Sequence, residues 1–265
     1  MKDLNVVLLT TSPRWNDPDG SIAEAEVLLE DAERAGTLAA VDLLVLPELW
    51  TTGFTLEPAH ARESEAGGPG RAAMSRWAAR WQCAVVGSLA VATADGAYAN
   101  RMHFVRPDGS ATCYDKRHLF GLGGEPGAYR PGRDRVEVEW RGWRILLLIC
   151  YDLRFPIFSR NLGDPPYDAV IYSACWPAPR IAAWDTLLAA RAIENQCYAI
   201  GVNRCGTEPG PLEYPGHSAV YNPLGACTSS NGHDALPQTL HVLLDFAHLS
   251  HIRHSLPFLR DADRS

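Results

Sequence analysis

Positive charge is in short supply: 24 Lys and Arg stand against 31 Asp and Glu in 265 residues, a formal charge of -7 at pH 7. That balance argues against a nucleic-acid partner held on a broad basic face. Long apolar runs are missing too. After Lys2 and Asp3 the continuous aliphatic stretch is only Val6 to Leu9, too short for a signal-peptide core or a membrane span. A cytoplasmic location with no membrane partner is therefore expected. No GxGxxG or phosphate-loop sequence occurs, so a nucleotide enzyme has little support. With no CxxC or HExxH pattern either, His248, His251 and His254, spaced three apart, are weak metal ligands, and neither metal nor cofactor is expected. No Pro/Gly/Ser linker or charge block divides the chain, which predicts one domain over residues 1–265. The seven cysteines are odd in number, lack regular spacing and sit mostly in apolar stretches such as WQCAVVGSL and NQCYAIGV. They read as reduced, buried thiols rather than a disulfide frame.

What is present is ample core material, with 46% hydrophobic residues against 21% charged, the balance of an ordinary globular protein. The most informative stretch is Trp143 to Pro156, WRILLLICYDLRFP. Ile145 to Ile149 are all large aliphatics, the pattern of a strand buried on both faces. Cys150 follows where such a strand leaves its sheet, and Asp152 is placed to cap a helix with Pro156 in its first turn. A strand, a sharp turn and a helix start would hold a thiol beside free backbone N–H groups, a geometry suited to a nucleophile with an oxyanion site. By itself, a cysteine ending an apolar strand is more often a small core residue.

Taken in order, NVVLLT predicts a first strand, followed by a helix from Ser21 to Arg34 with Ser21 and Glu24 as a capping box and Gly36 as its stop. Asp42 to Leu46 is a second strand, a helix spans Arg71 to Trp81, and CAVVGSLAV is a third strand. RMHFVRPDGSATCYDKRHLF reads as a hairpin about Pro-Asp-Gly. The second half repeats the scheme with VEVEW, WRILLLIC, a helix after Pro156, DAVIYSACW, a helix from Arg180 to Gln196 and CYAIGVNRCG. HSAVYNPLGACTSS is another hairpin, LHVLLDF a last strand, and the end, HSLPFLRDADRS, polar and irregular. Alternating strands and helices with inserted hairpins predict an α/β fold of two mixed sheets packed face to face with helices outside.

Three reactive side chains fall at predicted strand ends: Glu48 after LLVLP, Lys116 after YD and Cys150 after LLLI. A free thiol has a pKa of about 8.5 and needs a base or a cation to act as a good nucleophile; Glu48 could supply the first and Lys116 the second. The segments LPELWTTGF, YDKRHLF and CYDLRFP resemble the Glu, Lys and Cys motifs of the nitrilase superfamily, the carbon–nitrogen hydrolases. They stand in the same order, with Lys116 and Cys150 34 positions apart. WPAPR (176–180), ARAIENQ (190–196) and GHSAVYNPLG (216–225) resemble the ω-amidase branch, so the likeness covers nearly the whole chain.

That resemblance implies a four-layer α-β-β-α sandwich and a thiol amidase acting on the terminal amide of a small 2-oxo acid through a thioester. Cys150 would be the nucleophile, Glu48 the proton carrier, and Lys116 with the backbone N–H of Tyr151 the oxyanion holders. Glu125, in GLGGEPG, matches the family's second glutamate, the other reading being an exposed loop acid. Arg154 is the first candidate to hold a substrate carboxylate, with a structural ion pair to Asp152 as its alternative; Phe54, Tyr151 and Trp176 would line the pocket. Cys175 departs from the family, which often has Asn before that Trp-Pro, and the change bears on substrate contacts there. Members commonly pair through the face near the nucleophile's helix, so a homodimer or higher homo-oligomer is expected. The alternatives are another amide or N-carbamoyl hydrolase of the superfamily, a nitrilase, a protease-like pair of Cys150 with His118 or His217, or a silent scaffold of the same fold.

Overall fold

The computed structural model describes residues 2–232 and 236–262. The first half runs through β1 (Leu4–Thr10), α1 (Pro18–Arg34), β2 (Leu43–Val45), the two-residue β3 (Glu63–Ser64), α2 (Pro69–Trp81), β4 (Ala84–Ala92), β5 (Tyr98–Val105) and β6 (Ala111–Asp115), with the single turn α3 (Glu125–Ala128) leading onward. The second half follows with β7 (Val136–Trp140), β8 (Trp143–Ile149), α4 (Pro156–Ser159), β9 (Ala169–Ala174), α5 (Ile181–Asn195), β10 (Tyr198–Asn203), β11 (Cys205–Thr207), β12 (Glu213–Pro215), β13 (Ala219–Tyr221), β14 (Cys227–Ser230), β15 (Gln238–Leu244) and α6 (Phe246–Ser255).

These strands make two mixed sheets. One has the order β15-β1-β2-β4-β5-β6 with β3 beside β4; the other is β14-β13-β10-β9-β8-β7, and β11 pairs with β12 alone. Period-two alternation sorts the first sheet's side chains. Val6, Leu8, Leu43, Val45, Ala84, Val86, Met102 and Phe104 face the second sheet and share a core with Ile145 to Ile149. Val7, Leu9, Leu44, Leu46 and Val85 face the other way, onto Ile22, Ala25 and Leu29 of α1 and Met74 and Trp77 of α2. On the far side α5 lays Trp184 and Leu188 against β10 so closely that a Cβ on Gly201 would come within 2.4 Å of Leu188 and 2.7 Å of Trp184. Helix, sheet, sheet, helix is thus the layering, as expected.

Some local expectations fail for identifiable reasons. Helix α1 begins at Pro18, one turn early, because Asp17 rather than Ser21 is the cap: its carboxylate accepts from Gly20 N at 3.0 Å. Ser21 Oγ instead accepts from Arg14 N at 2.9 Å, and Glu24 pairs with Arg14. Asp152 caps no α-helix. It lies inside a 3-10 turn, Cys150–Arg154, and Pro156 opens α4 after Phe155, with no side-chain cap. CYAIGVNRCG divides into β10 and β11. Within HSLPFLRDADRS, His254 and Ser255 are the last residues of α6, whose start Asp245 caps on His248 N at 2.8 Å, and Phe258–Arg260 form a 3-10 turn; the last three residues of that stretch lie outside the described ones. No helix among the described residues is long and apolar enough to cross a membrane.

Candidate active site

Four chain segments leave their strands at the same end of the sandwich and meet there. Val45 ends β2 three residues before Glu48, Asp115 ends β6 directly before Lys116, Ile149 ends β8 before Cys150, and Ala174 ends β9 before Cys175. The first pair belongs to one sheet and the second pair to the other. Ser173 Oγ donates to the Leu46 carbonyl across the seam at 2.7 Å, and so fixes the offset at which the two sets of strand ends face each other.

Glu48, Lys116 and Glu125 are all fully buried. Lys116 Nζ donates to Glu48 Oε1 at 2.7 Å and to Glu125 Oε1 and Oε2 at 3.0 and 2.8 Å. Asn100 Nδ2 joins the same two acids at 2.8 and 3.0 Å, while Phe120 N donates to Glu125 Oε2 at 2.6 Å. Glu125 is therefore no loop acid in solvent. Burial alone would lower the Lys116 pKa, but the charges of Glu125 and Glu48 outweigh it and hold the ammonium well above its ordinary value.

Cys150 carries the thiol at φ 43°, in the left-handed region that a side-chain-bearing residue adopts only under constraint, at roughly 1–3 kcal/mol. Asp152 provides that constraint. One carboxylate oxygen accepts from Ile149 N (3.0 Å) and the Tyr114 hydroxyl (2.7 Å), the other from His118 N (3.0 Å) and His118 Nδ1 (2.8 Å). The turn that begins at Cys150 is thereby tied both to its own strand and to β6. Burial first, and then the charge of Glu48, push the Cys150 thiol well above the ordinary range, against the pull of Lys116. At neutral pH it rests as S–H beside the Glu48 carboxylate. Tyr151 is second in the 3-10 turn, where a backbone N–H has no partner within the turn.

The thiol opens on a mainly apolar cavity of about 310 Å³ bordered by Phe54, Phe120, Cys175, Arg180 and Tyr214, and on a side chamber of about 20 Å³ bordered by Tyr151, Arg154, Trp176 and Arg180. The expected Phe54, Tyr151, Arg154 and Trp176 thus all border the space around Cys150. The Arg154 guanidinium lies over the Trp176 ring, 4.8 Å from its centroid, and does not pair with Asp152. Cys175 N donates to Glu48 Oε2 at 2.8 Å, and its thiol donates to the Glu48 carbonyl at 3.2 Å. The position expected to hold Asn therefore holds the Glu48 carboxylate through its backbone and turns its sulfur toward the same residue.

The histidines stand elsewhere. His118 stacks on Phe155 at 3.9 Å with Nδ1 committed to Asp152, and His217 Nδ1 lies 3.1 Å from Asp185. His248, His251 and His254 lie along α6, and no group of three metal-ligating side chains occurs among the described residues. A wider groove of about 530 Å³, with Arg71, Arg101, His103 and Cys113, borders α2 and β6 and contains none of the four central residues. Sequence reasoning missed Asn100, Phe120 and Arg180. A buried Asn within a strand, a residue type strands disfavour, was the available signal for the first.

Comparison with known proteins agrees with this geometry. The carbon–nitrogen hydrolase family model matches residues 6–253. The omega-amidase YafV of Yersinia enterocolitica is 40% identical over 100% of this chain and 98% of its own; the 2-oxoglutaramate amidase of Bacillus subtilis is 32% identical over 93% of each. Among solved structures, XC1258 of Xanthomonas campestris, a CN-hydrolase superfamily protein with an arsenic adduct in its active site, superimposes with a TM-score of 0.91 at 40% identity, covering 99% of this chain and 98% of that one. With a buried Glu–Lys–Glu cluster around a thiol at the seam of two sheets, and a family match over nearly its full length, the chain belongs to the carbon–nitrogen hydrolase family.

Proposed function

We propose that this enzyme is an ω-amidase, a thiol hydrolase that releases ammonia from the terminal amide of a small 2-oxo acid such as 2-oxoglutaramate or 2-oxosuccinamate. The observation that carries the reading is the Cys150 thiol standing between a fully buried Glu48–Lys116–Glu125 cluster and a chamber bordered by Arg154, whose guanidinium lies over Trp176. The first half is hydrolytic machinery; the second is a carboxylate anchor, since a guanidinium offers two parallel donors. The names of the relatives support the same substrate class.

In this mechanism Cys150 sulfur bonds to the amide carbon as its proton passes to Glu48, and the carbonyl electrons become an oxyanion held by Lys116 Nζ and the Tyr151 N–H. Collapse breaks the C–N bond. The departing nitrogen takes the proton from Glu48 and leaves as ammonia, with a thioester on Cys150. Glu48 then removes a proton from water as its oxygen adds to the thioester carbon; breakage of the C–S bond releases the acid, and the sulfur recovers its proton. Glu125 keeps Lys116 in place, Phe54 and Trp176 shape the walls, and no cofactor takes part.

We further infer one domain over residues 1–265, because a shared core fills the space between the sheets, and a cytoplasmic location, which suits the free cysteines, five of them buried. A homodimer is supported by Ile157, 88% exposed on α4 just after the nucleophile turn. The deciding experiment measures ammonia from 2-oxoglutaramate, 2-oxosuccinamate, glutamine, an N-carbamoyl amino acid and a simple nitrile, with Cys150→Ala alongside. Preference for the oxo-amides, lost in the variant, is expected. Turnover of another member of the panel alone would keep the mechanism and replace the substrate, and silence on all five would favour a scaffold.

A further inference from the structure

A 2-oxo acid amide and the corresponding 2-amino acid amide share a carboxylate and a terminal amide. They differ in one group, a neutral acceptor against a cationic donor. We infer that Arg180, acting with Arg154, is the specificity-determining residue that selects the oxo over the amino substrate. This deepens the ω-amidase reading and rests on it for the choice of substrates.

The two arginines are built as a unit. Arg180 closes the 3-10 turn Ala178–Arg180 that feeds α5, and its carbonyl accepts from Trp176 Nε1 at 2.8 Å. The face of that indole lies beneath the Arg154 guanidinium. One tryptophan therefore fixes the backbone of one arginine through its N–H and supports the other through its ring. The Arg180 guanidinium lies over the Phe120 ring, 5.2 Å from the centroid, and the Phe120 backbone is bonded to Glu125. Both arginines border the chamber beside Cys150, their guanidiniums over Trp176 and Phe120, which also border it, and neither has a carboxylate partner among the described residues. Cations held over aromatic faces without an acid retain their donors for a ligand.

The acids near the larger cavity do not change this. Glu208 is engaged by Arg204 Nη1 at 2.8 Å and by the Tyr214 hydroxyl, and burial pushes its pKa up; Glu57 stands 70% exposed and pairs with His60. A 2-oxo carboxylate presents three oxygen acceptors and no positive charge, which suits two guanidinium forks. A 2-amino carboxylate brings an ammonium into a site with two fixed cations and no uncommitted buried carboxylate. Arg154 alone could hold the carboxylate of either substrate; the second cation is what makes the ammonium unfavourable.

The test measures kcat and KM for 2-oxoglutaramate and glutamine in the wild type, Arg180→Met and Arg180→Lys, each divided by kcat/KM for butanamide so that a general loss cancels. Protection of Cys150 from iodoacetamide by 2-oxoglutarate and by glutamate is measured in parallel, because it reports the same discrimination without turnover. Arg180→Met should reduce the oxo-over-amino preference by about 10- to 100-fold, the size expected for one guanidinium–ammonium repulsion in a partly wet site, chiefly through KM. Arg180→Lys should restore part of it. An unchanged preference in Arg180→Met, in both turnover and protection, would overturn the inference and leave the ω-amidase reading standing. A wild type that ignores oxo-amides yet is protected by 2-oxoglutarate in an Arg180-dependent way would overturn that reading and support the inference.

Discussion

Replacing Lys116 by Met keeps the length of the side chain and removes its charge. In the wild type the ammonium makes three short bonds to Glu48 and Glu125, with all three groups fully buried. Without it two carboxylates face each other with only the Asn100 amide between them. Removing one partner of a buried ion pair costs about 3–5 kcal/mol, and here one cation serves two acids, so the upper part of that range is expected. That is a large share of a typical stability of about 5–15 kcal/mol. Adding Glu125→Gln removes one of the stranded charges and should return about 1–3 kcal/mol, a coupling expected between groups in direct contact. Turnover should behave differently, because neither variant has a cation at the developing oxyanion; both should lose at least about 100-fold in kcat. Urea denaturation followed by tryptophan fluorescence, run beside ammonia release, separates the two effects. Equal stability of the single and double variants would refute the claim that Lys116 neutralises both acids, and recovery of turnover in the double variant would refute its oxyanion role.

Three further outcomes follow from the same geometry. Cys150→Ala should reduce ammonia release to background and abolish the thioester mass adduct that rapid quenching of the wild type is expected to trap, with stability changed by no more than about 1 kcal/mol, since a buried thiol packs as a small apolar group. Asp152→Ala strands four donors and should lose about 3 kcal/mol or more in urea, with kcat falling more than KM rises as Cys150 leaves its turn; an unchanged kcat would contradict the positioning role. As for pH, a thiol with a raised pKa keeps its proton to higher pH, and so does an ammonium with a raised pKa. Activity should therefore show no alkaline fall between about pH 7 and 9, and a midpoint inside that window in the rate profile would count against the burial of both groups.

Much of this was legible because the reactive residues follow strands whose signal is strong. Ile145 to Ile149 can hardly be anything but a buried strand, so the position of Cys150 at its end follows, and Glu48 and Lys116 are placed by the same logic. Asp152 is legible as a special position but not in its role. Its type and position suggested a helix cap, whereas its carboxylate reaches back to Ile149 and across to Tyr114 and His118, contacts set by the docking of one sheet on the other. Asn100 and Arg180 are not legible in the sequence because their surroundings exist only in three dimensions: Asn100 bridges two acids from other segments, and Arg180 has meaning only beside Trp176 and Phe120. Helix α6 is faint in the sequence because only Leu249 and Ile252 are buried in it, too sparse a stripe to register after the apolar run of β15.

The seam itself has a consequence for how the molecule opens. Ser173 to Leu46, Cys175 to Glu48 and Tyr114 to Asp152 are each bonds between one sheet and the other. In the proposed mechanism an acyl group on Cys150 adds another tie of this kind, because its carbonyl oxygen would sit between Lys116, which follows β6, and Tyr151, which follows β8 of the other sheet. Each turnover would then tighten and release the joint between the two halves. Amide hydrogen exchange at the ends of β2, β6, β8 and β9 would slow together while the thioester persists and quicken together after water has cleared it, so that catalysis and the breathing of the sandwich become a single cycle.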